Sequence, residues 1–273
     1  APTANGTGPK AATLLAVEGL VKRYDSRLGD RLVLDGVDLQ VRRGQFLCIV
    51  GPSGAGKTTL LRCMAGLTQP TAGRTLLDGT TITKPPAALA VVFQDYGRSL
   101  MPWLSVRSNV ELPLASRRTP RAERHRRANE ALEAVGLADS ANLHPWQLSG
   151  GMQQRVAIAR ALAYRPEALL MDEPFASVDA QTRADLEDLT LSVRNTFGMT
   201  VILVTHDIDE AVYLGDQVIV LSGSPARVRA RIDIDLGVPR DQISTKSLPE
   251  FARLRGQVLQ LIRADRAATE AAH

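Results

Sequence analysis

The sequence predicts an α/β fold built on a mainly parallel β-sheet, with a helical insertion in its middle. Three observations support this. Short apolar segments of strand length alternate with helix-length segments through most of the 273 residues, which is typical of βαβ units. A glycine-rich turn joins the first fully apolar segment to a helix. Between residues 96 and 147 the pattern is helical and loop-rich without a clear strand, so this stretch is expected to be inserted into the sheet domain.

The predicted strands follow the chain in order. Two segments near the start, 14–24 and 32–41, are expected to form an N-terminal antiparallel β portion. Apolar segments such as FLCIV and VILV then indicate buried strands of the parallel sheet. These segments lie at 44–50, 88–94, 168–172, 200–205 and 217–221. Apolar residues alternate with arginine at 226–234, which predicts a last strand with one face in water.

Helices are predicted between these strands and at the end of the chain, at 57–67, 150–165, 181–198, 208–215 and 249–268. The second of them is expected to stop before Pro166, because the residue before a proline disfavours helical backbone. The expected organisation is a flexible lead, a main domain with a helical subdomain, and a short strand–helix extension. Their ranges are 1–11, 12–225 (subdomain about 96–154) and 226–273.

Composition limits the classes of protein to consider. At 44% hydrophobic and 23% charged residues the chain has an ordinary globular composition. It contains no run of about 18 apolar residues, so we expect no membrane-spanning segment. Cys48 and Cys63 do not form a disulfide framework. The net charge of +4 and the basic run at 117–127 could suggest nucleic acid. Almost no aromatic residues accompany that run, so a solvated helix face is the simpler interpretation, with anionic lipid or an acidic partner as alternatives.

The segment GPSGAGKTT matches the phosphate-binding pattern G-x-x-x-x-G-K-[ST] in full. Its glycines allow backbone N–H groups to turn toward phosphate oxygens, and the helix that follows adds its partial positive charge. Lys57 is expected to reach the β- and γ-phosphates, and the Thr58 hydroxyl is expected to bind Mg²⁺. The predicted nucleotide-binding residues are Gly51, Pro52, Ser53, Gly54, Ala55, Gly56, Lys57, Thr58 and Thr59.

Two apolar strands are followed by candidate catalytic residues. ALLMDEP carries Asp172 to the carboxyl end of a strand, where ligands bind in open α/β sheets. Asp172 is suited to a Mg²⁺ shell, and Glu173 beside it can hold and polarise a water for attack on the γ-phosphate. His206 ends another buried strand and is expected to approach the γ-phosphate from the far side. The absence of a guanine-reading N-K-x-D pattern disfavours a GTP switch protein.

A second candidate phosphate site lies at LSGGMQQR, residues 148–155, which is called the signature segment below. It opens a helix with Ser149, Gly150 and Gly151, and a helix N-terminus of this composition can bind an anion. The phosphates of a nucleotide bound to the same chain already have a cradle at 51–59. Taken alone, the signature segment could also be an N-capped helix after a glycine turn.

Together these motifs resemble the ABC ATPase family. Residues 51–59, Gln94, the signature segment, ALLMDEP, SVDA and His206 come in the order and spacing of that family, over about residues 12–225. The resemblance implies a P-loop NTPase of RecA-like type that uses ATP and Mg²⁺. The catalytic residues implied are Lys57, Gln94, Glu173 and His206, and the metal ligands implied are Thr58, Gln94 and Asp172.

The resemblance also implies a role for the signature segment. In this family two chains pack head to tail around two ATP molecules, so residues 149–151 would contact the ATP held by a second copy of the chain. A two-fold dimer completes both sites at once. Tyr24 resembles the aromatic residue that stacks on adenine, and Asp179 in SVDA resembles an aspartate at the dimer interface. Val178 and Met152 stand where Leu and Gln are commoner, which leaves details of these contacts open.

Within the family, the chain resembles the ATPase subunits of nitrate, sulfonate and taurine importers. HPWQ before the signature segment, the pattern at 102–110 and the C-terminal DLGVPRD carry this resemblance. It implies uptake of a small anion through separate integral-membrane permease chains at the cytoplasmic face of the cell membrane, with a solute-binding protein acting indirectly. Leu100, Met101, Trp103 and Leu104 would line the permease contact, although packing inside the helical insertion explains them equally well.

Three other functions stay open at this point. A non-transport ABC protein acting on nucleic acid or the ribosome would usually carry two modules or long insertions, and no nucleic-acid partner is expected here. An exporter ATPase is disfavoured by HPWQ before the signature segment. A simple P-loop kinase would have no use for the signature segment and would remain active as a monomer.

Overall fold

The computed structural model describes residues 12–25 and 29–270, so the predicted flexible lead at 1–11 lies outside the described residues. The strands of the described part are β1 (Thr13–Tyr24), β2 (Arg31–Arg42), β3 (Phe46–Val50), β4 (Ala72–Leu77), β5 (Thr80–Thr81), β6 (Leu89–Val92), β7 (Ala168–Asp172), β8 (Thr200–Val204), β9 (Gln217–Leu221) and β10 (Val228–Asp233). They form one sheet of six strands and one of four. The predicted α/β class with a mainly parallel sheet and an antiparallel N-terminal portion is confirmed.

The six-stranded sheet has the order β10-β9-β3-β8-β7-β6. Its neighbours run parallel except for the antiparallel pair of β9 and β10. Every residue of β3, β7 and β8 is buried, as their apolar sequences require for strands that are covered on both faces. The expected strand at 88–94 ends at Val92, so Phe93 and Gln94 lie in the loop beyond the sheet.

The four-stranded antiparallel sheet has the order β2-β1-β4-β5, and the sequence patterns predicted only β1 and β2 of it. The segment AGRTLL that forms β4 has an exposed first half, and its residues do not alternate between apolar and polar as in a typical strand. Its pairing with β1 is what makes it a strand. Gly73 has φ 76°, and a Cβ atom there would lie 2.2 Å from the backbone oxygen of Gly19, so this close approach of two strands requires glycine.

The helices are α1 (Lys57–Met64), α2 (Tyr96–Ser99), α3 (Val106–Ser116), α4 (Arg121–Ala134), α5 (Gly150–Ala163), α6 (Ala180–Phe197), α7 (Ile208–Leu214) and α8 (Pro249–Glu270), with short 3₁₀ turns at Ala138–Ser140 and Pro145–Gln147. The first helix ends three residues earlier than expected, because Gly66 takes a left-handed conformation with φ 71°. None of the helices in the described ranges combines the length and the apolar content needed to cross a membrane.

The two faces of the six-stranded sheet are covered differently. Alternate residues of β3 separate them: Phe46, Cys48 and Val50 pack with residues of α3 to α8 in what is called the helix-side core below, whereas Leu47 and Ile49 pack with α1 and the antiparallel sheet. Helices α3, α4 and α5 contact one another and extend the first of these cores away from the sheet. Each buried leucine or isoleucine contributes roughly 1.5–3 kcal/mol to folding. Both cores together hold the carboxyl ends of the parallel strands in fixed positions.

The last strand and the last helix of the described chain pack on the six-stranded sheet and α7. Strand β10 pairs with β9, and α8 buries Phe251, Leu254 and Val258 in the helix-side core against α7 and β9.

In the basic run at 117–127, Arg126 and Arg127 pair with Glu123 on α4. Part of that positive charge is therefore neutralised within one helix.

Candidate functional site

The predicted phosphate-binding segment, residues 51–59, leaves the carboxyl end of β3 and enters α1 at Lys57. Two of its glycines have backbone conformations that other residues disfavour, with φ 77° at Gly54 and 91° at Gly56. A Cβ atom at Gly56 would also lie 2.8 Å from Cγ1 of Val33. The segment is thus a tight turn at a helix N-terminus, where backbone N–H groups and the helix dipole favour a bound anion.

The side chain of Lys57 folds back into this turn. Its Nζ donates to the backbone oxygens of Gly51 and Pro52, each at 3.0 Å, and the residue is only 6% exposed. Burial lowers the pKa of Lys57, and the nearby charges of Glu173 and Asp172 oppose that shift. A buried ammonium whose donors reach only carbonyl oxygens is well placed to exchange them for the negatively charged oxygens of a phosphate.

A cavity of about 500 Å³ opens beside the phosphate-binding segment. Tyr24 lies on its wall with 39% of its surface exposed, and Glu173 lines it as well. The ammonium nitrogen of Lys22 lies over the Tyr24 ring, 4.9 Å from the ring centre. An exposed aromatic face beside an open cavity is suited to stacking on a base. Arg31 and Val33 complete this wall, and no pattern in the sequence marked either of them.

Thr58, on the wall of this cavity, is bonded to the buried Asp172. The Thr58 hydroxyl donates to Oδ1 of Asp172 at 3.0 Å, and Asp172 is 6% exposed. Burial raises the pKa of Asp172, although the hydrogen bond from Thr58 opposes the shift. A hydroxyl and a buried carboxylate side by side are oxygen ligands of the kind that Mg²⁺ takes, and a cation there would offset the cost of burying the charge. The residues therefore fit the predicted metal.

Glu173 contacts two of the other predicted catalytic residues, Gln94 and His206. Its backbone N–H donates to the oxygen of Val204 at 2.8 Å, and its φ of 45° is unusual for a residue with a side chain. Gln94 Nε2 donates to Glu173 Oε2 at 3.4 Å, and Nδ1 of His206 lies 3.2 Å from the same oxygen. Strained backbone of this kind is concentrated at functional sites. Two residues from separate loops, Gln94 and His206, thus converge on the carboxylate of Glu173.

The signature segment borders a different cavity from the phosphate-binding segment. None of its residues lines the cavity beside the phosphate-binding segment in the described part of the chain. Ser149 caps α5, with its Oγ accepting from the N–H of Met152 at 3.3 Å. Gly150 and Gln153 instead line a second cavity of about 520 Å³, together with Gln94. Ser149 and Gly150 are exposed, so this helix N-terminus is open to another molecule.

Asp179 stands at the N-terminus of the next helix, α6. Its carboxylate accepts from the N–H of Thr182 at 3.0 Å and from the Thr182 hydroxyl at 2.7 Å. These hydrogen bonds, the backbone one first, lower the pKa of Asp179. A Cβ atom at Gly151 would lie 2.4 Å from Cγ2 of Thr182, so the starts of α5 and α6 touch. The structure therefore places the signature segment and Asp179 on one surface.

Comparison with known proteins decides the family. The sequence family described as ABC transporter matches residues 34–176, just over half of the chain. The chain belongs to this family. It is an ABC-type ATPase, and its phosphate-binding segment, Asp172, Glu173 and the signature segment all lie within the matched region.

Curated relatives of this ABC ATPase align along most of its length. An uncharacterized ABC transporter ATP-binding protein of Methanocaldococcus jannaschii is 47% identical over 91% of this chain and 91% of its own. The bicarbonate transport ATP-binding protein CmpD of Synechocystis is 39% identical over 96% of this chain and 93% of its own. The nitrate import ATP-binding protein NrtC of Synechococcus elongatus is 39% identical over 94% of this chain but only 39% of its own length.

Solved structures agree with this assignment. A dimeric structure of a bacterial ABC transporter cassette is 34% identical and superposes with a TM-score of 0.71, over 81% of this chain and 99% of that one. A dimeric post-hydrolysis state of an ATP-binding cassette, bound to ADP and Pi, is 33% identical with a TM-score of 0.70 over the same shares. The predicted P-loop NTPase fold and ATPase activity are confirmed.

Proposed function

We propose that this ABC ATPase powers the uptake of a small anion through separate permease chains at the cytoplasmic face of the cell membrane. The observation that carries the proposal is its 39% identity to relatives named for bicarbonate transport and for nitrate import. The pattern at 102–110 supports the same group. Nitrate, bicarbonate, alkanesulfonates and taurine all carry a compact oxyanion group. The cavity described above would be occupied by ATP and would not bind the solute. The choice among these anions would therefore be made by the permease and a solute-binding protein.

ATP would bind along the cavity from Tyr24 to Glu173. The Tyr24 ring would stack on adenine, and the turn at 51–59 would surround the phosphates. Lys57 would exchange its two carbonyl partners for β- and γ-phosphate oxygens. Thr58 and Asp172 would hold Mg²⁺ beside Gln94. When bound, Mg²⁺ neutralises negative charge on the phosphate oxygens.

Hydrolysis would then depend on the carboxylate of Glu173. It can accept a hydrogen bond from a water and orient that water in line with the γ-phosphorus. Gln94 and His206, both at Glu173 Oε2, would fix the direction of the carboxylate. The left-handed backbone of Glu173 holds it against β8, so little reorganisation is needed when ATP arrives.

The second phosphate site would be completed by a second copy of the chain. Dimeric solved cassettes support such a partner. In a head-to-tail dimer, the exposed Ser149 and Gly150 would face the γ-phosphate bound by the partner, at the N-terminus of a 14-residue helix. Asp179 lies on the same surface and would belong to the same interface. ATP would then hold the two copies together, and its hydrolysis would release them.

The permease contact would lie in the segment after Gln94. Of its expected residues, Trp103 is 72% exposed, whereas Leu100 is 3% exposed and belongs to the helix-side core. The role expected for Leu100 is therefore assigned to packing, and Trp103 remains as the exposed apolar contact. The guanidinium of Arg160 on α5 donates to the backbone oxygen of Ser99 at 2.6 Å. This bond would let α5 and the segment after Gln94 move together during ATP-driven closure.

The proposal is tested by solute uptake in cells that carry the gene for this chain. Cells expressing wild type or Lys57→Ala receive isotope-labelled nitrate, bicarbonate, taurine or an alkanesulfonate in turn. We expect the uptake of at least one of these anions to fall to background in Lys57→Ala, because the turn at 51–59 loses its cation for the phosphates. Lys84→Ala, at an exposed position, is the matched control and should transport normally. Unchanged uptake of all four anions in Lys57→Ala would show that the proposal is wrong.

A further inference from the structure

Arg183 connects the first turn of α6 to α7. Its backbone N–H donates to the oxygen of Asp179 at 2.9 Å. Its side chain leaves this turn, and Nη1 donates to Oδ2 of Asp207 at 3.2 Å. Its Nε lies 3.7 Å from Oε1 of Glu210 and is buried without a hydrogen-bond partner among the described residues. A guanidinium can bond two carboxylates at once, so Arg183 holds the starts of α6 and α7 together.

The α6 side of this bridge supports the signature segment. Asp179 binds both the N–H and the hydroxyl of Thr182, which fixes the first turn of α6. The methyl group of Thr182 fills the space beside Gly151, where a Cβ atom would come within 2.4 Å of it. Because these two helix starts are in tight contact, a displacement of the signature segment must displace the first turn of α6.

The α7 side of the bridge holds the loop that presents His206. Asp207 caps α7, its Oδ1 accepting from the N–H groups of Asp209 at 2.8 Å and Glu210 at 3.2 Å. The buried Thr205 donates its hydroxyl to Glu210 Oε2 at 2.6 Å and accepts from the N–H of Asp207 at 3.0 Å. The residues on both sides of His206 are therefore fixed to α7, and His206 must follow any shift of Asp207.

We propose that Arg183 is a positioning residue that couples the nucleotide bound by the partner to His206 in the chain's own site. This inference rests on the head-to-tail dimer of the proposed function. The path runs from the signature segment through Thr182 to Arg183, and from there through Asp207 to His206. Gly151 packs against Thr182 and Arg183 bonds Asp207, whereas the other two steps join neighbours in the chain. Coupling between separated sites is carried by continuous networks of this kind.

The geometry of Arg183 also shows how the bridge can respond to ATP. Its Nε stands about 0.5 Å beyond hydrogen-bonding distance from Oε1 of Glu210. A small movement of α6 toward α7 would close this gap and make the guanidinium bond both carboxylates. Binding of the partner's ATP at the signature segment would supply that movement. His206 already lies 3.2 Å from Oε2 of Glu173, and it would be held there more rigidly when both nucleotides are bound.

The test compares Arg183→Met with Arg183→Lys. Steady-state ATP hydrolysis gives kcat and KM, and light scattering in a Glu173→Gln background gives ATP-driven dimerisation. We expect Arg183→Met to lower kcat by about tenfold, the size of effect expected when coupling between sites is removed. Its KM should change less than about twofold and its dimerisation should persist, since the phosphate-binding turn is untouched. Arg183→Lys keeps a cation for Asp207 and should restore most of the loss.

Arg194→Met is the matched control on the same helix. Arg194 also forms an ion pair, with Asp216, but it lies at the far end of α6. It should keep the wild-type kcat, even if its thermal stability falls. A wild-type kcat in Arg183→Met, or an equal loss in Arg194→Met, would overturn the role of Arg183. A wild type that hydrolyses ATP while the Glu173→Gln chain fails to dimerise would instead overturn the dimer, and the inference with it.

Discussion

The two glycine-rich segments of this ABC ATPase need glycine for different physical reasons. In the turn at 51–59, Gly54 has φ 77° and no described residue lies within 4 Å of a Cβ atom placed on it, so the backbone conformation is what requires glycine. In the signature segment, Gly151 is an ordinary helical residue, but a Cβ atom there would meet Thr182 at 2.4 Å. One segment shapes the backbone around a phosphate, and the other brings two helices into contact.

The segments also differ in what the chain provides around them. The turn at 51–59 places Lys57 and Thr58 on the wall of one cavity, and the Thr58 hydroxyl donates to the carboxylate of Asp172. The signature segment offers an exposed helix N-terminus whose capping Ser149 has no cation beside it among the contacts of the described residues. The comparison teaches that folding of one chain is enough to form the site at 51–59. The site at the signature segment is expected to become complete only when two chains associate.

The largest expected effect comes from Glu173→Gln. This substitution should stop ATP hydrolysis while leaving ATP binding at 51–59 and dimerisation through the signature segment intact. We expect kcat to fall roughly a thousandfold, on the order of 4 kcal/mol, because the amide cannot accept a proton from the attacking water. ATP should still bind and should drive dimerisation, as measured by light scattering. Glu167→Gln, at the other end of β7, is the control and should hydrolyse ATP normally. Wild-type hydrolysis in Glu173→Gln would remove Glu173 from the catalytic role.

Ser149→Arg tests whether the signature segment acts on the partner's ATP. The long side chain would block the exposed helix N-terminus, and we expect hydrolysis to fall about a hundredfold, as for loss of one preorganised phosphate donor. ATP affinity of the single chain, measured with a fluorescent analogue, should not change, because the turn at 51–59 is intact. Combined with Glu173→Gln it should remain monomeric with ATP. Ser192→Arg, at an exposed position on α6, is the control and should behave as wild type. If Ser149→Arg hydrolyses ATP at the wild-type rate, the signature segment is only a capped helix and does not act on the partner's ATP.

The smallest effect sharpens the contrast between the two uses of glycine. Gly151→Ala should lower the free energy of unfolding by about 2 kcal/mol, because the new methyl group overpacks against Thr182. Adding Thr182→Ala removes the clashing Cγ2 and should recover most of that loss in denaturant unfolding. Gly54→Ala should cost about 1 kcal/mol through its left-handed backbone alone, and Thr182→Ala should not rescue it. If the double variant is no more stable than Gly151→Ala, the contact between α5 and α6 is not what excludes a side chain at Gly151.

Much of the six-stranded sheet could be predicted because its strands are buried on both faces. A segment such as FLCIV has few alternatives to a strand in the middle of a parallel sheet. Strands β4 and β5 could not be predicted, since their residues are largely exposed and become strands only by pairing with β1 and with each other. Trp103 and Leu100 show the same limit: both are apolar, but only the tertiary structure separates an exposed side chain from a core one.

The sequence by itself determined the chemistry of this ABC ATPase, because a lysine after a glycine turn and a glutamate after a buried aspartate have few other uses. The tertiary structure decided which of these groups meet. Gln94 and Glu173 are 79 positions apart and share a hydrogen bond. They meet because parallel pairing of β6, β7 and β8 brings the carboxyl ends of three strands to one edge. The role proposed for Arg183 could not be predicted from the sequence either. It depends on the N-termini of α6 and α7 lying side by side, which only the packed core brings about.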